Sequence, residues 1–185
     1  FTLVATNVPY LGRGKQDDVL REFCERHHPD AKADLATCFV KRCLELCAGG
    51  GSTALVTPQS WLFLASYKRL RSRLLTDIRW EWVGRLGPRA FETISGEIVN
   101  VTLVTLTRQS PSEHHRFFGL DVADEPESSQ KANALSTAPL MQVAQKMQLE
   151  NPDAMIRLEG NSGLPILGEY ALGVHGTNTK DGVRF

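Results

Sequence analysis

No apolar run in the sequence approaches the roughly 20 residues that span a bilayer, and no signal peptide is evident, which points to a cytoplasmic protein with no membrane partner. Net charge is missing too: 21 Lys and Arg balance 21 Asp and Glu, which argues against a uniformly basic nucleic-acid binder. The four cysteines, Cys24, Cys38, Cys43 and Cys47, form no Cys-x-x-Cys pair and have no histidine at ligand spacing. Neither a metal site nor a disulfide framework is therefore expected; three of the four fall in one predicted helix, as small apolar residues on a core-facing stripe of a reduced protein. His27 and His28 likewise lack a companion at zinc-ligand spacing and read as helix-end imidazoles. There is no nucleophile-base pair, no carboxylate dyad and no P-loop spacing. The first methionine is Met141 and the chain opens inside an apolar run, so the sequence reads as a fragment of a longer protein.

What is present is ordinary globular material. Of 185 residues, 42% are hydrophobic and 23% charged, enough for one sizeable core. The zero net charge hides an asymmetry: residues 1–89 carry 14 Lys and Arg against 9 Asp and Glu, residues 90–185 carry 7 against 12. A basic first half suits an anionic partner.

The chain opens on Phe1-Thr2-Leu3-Val4-Ala5-Thr6-Asn7-Val8-Pro9-Tyr10, an uncharged apolar run that stops at an Asn followed by a Pro and an aromatic. It reads as a fully buried strand, and open α/β sheets place ligand chemistry just past such strand ends. Leu11-Gly12-Arg13-Gly14-Lys15 follows as a loop whose two cations, flanked by glycines, suit a phosphate or simply a solvated turn. Asp17 and Asp18 open a helix with Val19, Leu20, Phe23, Cys24 and His27 on one stripe, ending at His28-Pro29. A second helix runs from about Asp34 to Cys47 and stops at Gly49-Gly50-Gly51, read as a helix C-cap and turn because a helix, not a strand, precedes the glycines. Residues 52–58 form a second strand. Ser60 is expected to cap a third helix with Phe63, Tyr67, Leu70 and Leu74 inward and Lys68, Arg69, Arg71 and Arg73 outward, the charges being a solvated face or a DNA-backbone contact. Strands are expected over 78–83, 98–106 and 117–122, with a polar-aromatic loop at Phe91–Gly96, a linker over 123–131, a helix over 139–149 and a Gly-rich end. The fold class is α/β: a mostly parallel sheet flanked by helices with an antiparallel hairpin at one edge.

The tip itself has specific chemistry. Asn7 offers an acceptor and a donor, and Pro9 restricts Val8 to extended geometry, so the Asn7 side chain and the Val8 carbonyl can converge on one point. Two converging acceptors suit a planar amino group, and the Tyr10 ring can stack on the heterocycle or amide that carries it. A strand end with an Asx-type turn and a core Tyr would use the same residues.

Asn7-Val8-Pro9-Tyr10 after an apolar strand resembles the (Asn/Asp)-Pro-Pro-(Tyr/Phe) motif of S-adenosylmethionine-dependent amino methyltransferases. Asp34-Leu35-Ala36 with Phe39, Gly50-Gly51, Leu55-Val56-Thr57-Pro58-Gln59-Ser60-Trp61 and Phe91-Glu92-Thr93-Ile94-Ser95-Gly96 extend the likeness to the DNA adenine-N6 methylases of large restriction-modification proteins and of the BREX phage-defence system, over about residues 1–106. Gly176-Thr177-Asn178-Thr179-Lys180-Asp181 is similar to a Gly-Thr-Gly-Asp-type segment entering their target-recognition part. The resemblance implies a partial Rossmann-like methyltransferase domain over 1–122 and a linker, helix and start of a target-recognition or accessory region over 123–185. It implies that Asn7, Val8, Pro9 and Tyr10 form the catalytic motif and that Phe91 lines the other side of the pocket; the glycine-flanked cations Arg13 and Lys15 are expected to contact the substrate. The partners implied are double-stranded DNA with a flipped adenine and other restriction or defence subunits. Val8 stands where the family has Pro, which keeps the carbonyl but relaxes Asn7. The Gly-rich cofactor loop and acidic ribose-binding residue that such enzymes place before the motif are absent, so the S-adenosylmethionine site is expected upstream of Phe1 and the isolated fragment is expected not to bind that cofactor tightly. Two rivals remain: a protein-glutamine methyltransferase, whose substrate also presents an NH2, and a non-catalytic DNA-binding subunit of the same fold.

Overall fold

The computed structural model describes residues 1–91 and 99–158. Its frame is a six-stranded sheet in the order β1-β2-β4-β3-β5-β6, made of β1 (Leu3–Asn7), β2 (Ser52–Pro58), β3 (Arg79–Gly87), β4 (Val101–Thr107), β5 (Arg116–Asp121) and β6 (Met141–Ala144). β1 pairs with β2, and β3 with β5, in parallel; β4 runs antiparallel to both β2 and β3, and β6 antiparallel to β5. Four of the six strands thus share one direction, and the antiparallel edge is β5 with β6. Residues 109–115 carry the chain from β4 past β3 to β5.

Helices α1 (Asp18–His27) and α2 (Leu35–Leu46) join β1 to β2, α3 (Lys68–Asp77) joins β2 to β3, and α4 (Ser128–Thr137) joins β5 to β6. The first two begin where a side chain satisfies an orphan amide: Asp17 accepts from Leu20 N at 2.8 Å, and Asp34 from Ala36 N at 2.8 Å. Beyond α2, Gly50 adopts φ of 78° and donates to the Arg108 carbonyl at 2.9 Å, the turn expected of that glycine run. The main core lies between sheet and helices, centred on Trp61, Trp80 and Phe117, whose rings follow one another at 5.6 and 6.0 Å. All four cysteines are free and buried, on the stripe their spacing indicated.

Several expectations are corrected. β1 is a strand but not a buried one: Leu3 is 59% exposed and only Val4 is partly covered, because among the described residues β1 pairs with β2 alone. On α1 only Cys24 is buried; Val19 is 81% exposed, and Phe23 lies outside against the His27 ring at 4.4 Å. Ser60 caps no helix. It sits in a 3-10 turn at Gln59–Leu62, and α3 begins only at Lys68. Arg71, expected on the outer face, is fully buried and donates to the carbonyls of Trp61 at 2.6 Å, Leu64 at 2.8 Å, Asp153 at 2.8 Å and Ala154 at 3.1 Å.

The stretch read as linker enters α4, which packs through Ala134 and Leu135 on a second cluster of Leu86, Val101, Leu120 and Val122. There Lys131 is buried, with its ammonium donating to the Val122 and Ala123 carbonyls at 3.1 Å each. The expected helix over 139–149 is instead β6 followed by a 3-10 turn at Lys146–Glu150, since pairing Val143 with Phe117 buries both on the sheet. Glu92–Gly96 and the Gly-rich end with Gly176–Asp181 lie outside the described residues.

Candidate functional site

The site is assembled at the end of the sheet where β1, β2 and β3 finish. Asn7 is the last residue of β1 and lies opposite Val56; Val8 continues the ladder by one bond, its N–H donating to the Val56 carbonyl at 3.3 Å. Burial then alternates as an extended segment requires: Asn7 is exposed, Val8 is 3% exposed, and Pro9 is exposed. The Asn7 side-chain amide is hydrogen-bonded to no other described residue. Tyr10 is partly buried against the main core, with its hydroxyl buried and unpartnered and part of its surface left open. Burial, reinforced by the negative charge of Asp34, pushes the Tyr10 phenol up to about 12.

The loop after Tyr10 is fixed to the start of α2. Leu11 N donates to the Asp34 carboxylate at 3.3 Å, Leu35 N to the Leu11 carbonyl at 3.0 Å, Arg13 N to the Ala33 carbonyl at 3.0 Å, and the buried Gln16 amide to the Leu11 carbonyl at 3.0 Å. Asp34 thus serves both the helix cap and the motif loop, a role its place as a cap residue hid from sequence reasoning. Arg13 and Lys15 lie in the 3-10 turn Arg13–Lys15, both exposed, and Arg13 is ion-paired with Glu25 of α1, its Nε at 3.1 Å. That partner holds the Glu25 carboxyl below its ordinary range.

Phe91 follows β3 and is 40% exposed at the same end of the sheet, since the last residues of β2 and β3, Pro58 and Gly87, both lie opposite Val101. Between them a polar brace spans the tips: with the buried Gln59 amide oriented so that its oxygen faces Arg85, it accepts from Arg85 Nε at 2.8 Å and Nη2 at 2.9 Å, and Arg85 Nη1 reaches Asp121 at 2.8 Å. No local pattern announces it, because its members come from three separate strand ends.

The glycine run and a cleft both lie away from Asn7. The glycines at 49–51 precede β2 and so lie at the opposite end of that strand. A cleft of about 330 Å³ lined by Asp30, Lys41, Leu44, Leu70, Arg73 and Arg108 is also at that far end, where Arg108 follows the β4 residue paired with Ser52. Among the described residues, the tip sets the Asn7 side chain beside the open part of Tyr10.

Comparison with known proteins gives the same direction. The chain is 37% identical over 111 residues to the adenine-specific methyltransferase PglX of Lacticaseibacillus casei, covering 59% of this chain and 9% of the relative, and 34% identical over 136 residues to the adenine-specific methyltransferase BrxX of Escherichia coli, covering 74% and 11%. It therefore spans about a tenth of the length of these curated relatives. The fold matches the type I restriction-modification methyltransferase subunit from Streptococcus thermophilus with a TM-score of 0.57 at 17% identity, over 84% of this chain and 37% of that one. It also matches the type ISP restriction-modification enzyme LlaGI, solved with a DNA substrate mimic, with a TM-score of 0.60 at 12% identity over 87% and 18%. Residues 1–88 match the Eco57I restriction-modification methylase family.

Proposed function

We propose that the protein to which these residues belong transfers a methyl group from S-adenosylmethionine to the N6 amino group of adenine in DNA, within a cytoplasmic restriction-modification or phage-defence system. The observation that carries this is the β1 tip, where an exposed Asn7 amide free of described partners adjoins the Val8 carbonyl and the open part of Tyr10. Relatives named as adenine-specific methyltransferases support the choice of base. The Asn7 side-chain oxygen and the Val8 carbonyl accept the two amino hydrogens, which turns the nitrogen lone pair toward the incoming methyl. Tyr10 stacks on a base flipped out of the duplex, and Phe91 closes the other side of the pocket. Arg13 and Lys15 face the backbone phosphates, Arg13 exchanging its Glu25 partner for phosphate on binding. Residues 1–122 are assigned to the C-terminal part of the catalytic domain and those after 122 to the passage into a target-recognition or accessory region. The methyl donor is assigned to parts of the protein outside the described residues.

The test is to incubate the full-length protein with S-adenosylmethionine and plasmid DNA from a methylation-deficient host and map N6-methyladenine. Methylation that disappears with Asn7→Ala is expected. Unmodified plasmid alongside a methylated glutamine in a release-factor peptide would sink the DNA reading, and unchanged methylation by Asn7→Ala would remove Asn7 from the catalytic motif.

A further inference from the structure

The ladder between β1 and β2 has a fixed alternation. Ser52 N donates to the Thr2 carbonyl at 2.9 Å and Val8 N donates to the Val56 carbonyl at 3.3 Å, with Leu3 opposite Ser52 and Asn7 opposite Val56. In a parallel pair in this register, the amides of residues 52, 54, 56 and 58 face the carbonyls of residues 2, 4, 6 and 8. The donor due to the Val8 carbonyl is therefore residue 58. That residue is Pro58, which has no N–H to give. The next amide turns the other way, Gln59 N donating to the Asn100 carbonyl at 2.7 Å, and no described backbone N–H donates to Val8 in its place.

We propose that Pro58 is a positioning residue for methyl transfer: by withholding the last ladder donor, it reserves the Val8 carbonyl for the amino group of the substrate. Buried carbonyls are almost always paired, and Val8 is only 3% exposed. An acceptor that no described backbone N–H engages gains a bond on substrate binding without giving up one to the protein. A residue with an N–H at position 58 would close the ladder onto that carbonyl and compete with the substrate. Pro58 itself sits at φ −59° and ψ 140°, which other residues adopt readily, so its distinguishing feature here is the absent donor. The proposal rests on the reading of the Val8 carbonyl as an acceptor.

The test uses the full-length protein, tritiated S-adenosylmethionine and unmethylated plasmid DNA. Pro58→Ala is expected to lower kcat at least about tenfold while KM for DNA stays within about twofold, because duplex binding does not involve this carbonyl. Lactic acid placed at position 58 by nonsense suppression carries the alanine side chain on an ester that lacks the N–H; it should return kcat to within about threefold of the parent. Full activity in Pro58→Ala, or a lactic acid protein as slow as the alanine one, overturns the proposal. Should Pro58→Ala fail to fold, the lactic acid protein compared with the parent decides: retained turnover supports the proposal and lost turnover overturns it. Asn7→Ala in the same assay separates the two levels. If it turns over normally, the site reading itself fails; if it is dead while Pro58→Ala is fully active, only the role of Pro58 fails.

Discussion

Asp34 and Leu11 are 23 residues apart, yet the Asp34 carboxylate accepts the Leu11 N–H at 3.3 Å and the Ala36 N–H at 2.8 Å with the same oxygen. One side chain therefore starts α2 and secures the loop that follows Tyr10. Losing a helix cap costs about 1 kcal/mol, and a partly buried amide left unpaired adds to that. Asp34→Ala should speed amide exchange of residues 9–16 and of the first turn of α2 by roughly 5- to 30-fold. Asp34→Asn keeps the accepting oxygen and should show a clearly smaller effect. Equal exchange in all three proteins would disprove the coupling.

Tyr10 gives a prediction of the opposite kind. Its hydroxyl is buried with no partner, so Tyr10→Phe removes an unsatisfied group and leaves the ring. That variant should be at least as stable as the parent and should methylate within about twofold of its rate, whereas Tyr10→Ala should lose the roughly 1–3 kcal/mol of base stacking. The phenol, pushed up to about 12 by burial and then by Asp34, stays protonated below that pH and should contribute no limb to the pH–rate profile. A Tyr10→Phe enzyme much slower than the parent would give the hydroxyl a role that its surroundings do not support.

Asp30 supplies the pH dependence. Its carboxylate has 2% side-chain exposure and is held by Lys41 at 2.7 Å and Arg73 at 3.0 Å. Burial raises its proton affinity, but the two cations outweigh burial and hold the carboxyl below its ordinary range. A carboxyl depressed in the folded state contributes stability above its unfolded pKa and loses it as pH falls through the folded one. Compared by tryptophan fluorescence in urea, Asp30→Asn should be weaker than the parent at neutral pH, with the gap narrowing steadily on acidification. A gap that is constant with pH would exclude the ion pairs as its source.

The sequence disclosed local features well. The Asn7 tip, the start of α2 near Asp34, the glycine turn at Gly50 and the core-facing cysteines were all legible, because each rests on spacing within a few residues. What it concealed depends on distant chain. Arg71 lies at helical spacing with Tyr67, Leu74 and Leu75 and so belongs to the inward stripe, but a guanidinium is read outward unless its partners are known, and these are carbonyls. The residues from 141 to 144 fit a helical pattern through Leu140, Val143 and Met147; pairing with β5 decided otherwise. The exposure of β1 was invisible for the same reason, since an apolar run says nothing of how many neighbours will cover it.

Arg71 binds carbonyls 82 and 83 positions downstream as well as two nearby. A buried guanidinium half-supplied with acceptors is costly, so this layer cannot close when α3 is first made. The full set of acceptors exists only once residues 153 and 154 are in place. The region from β2 to α3 is therefore tied in its buried hydrogen bonding to the segment that follows β6.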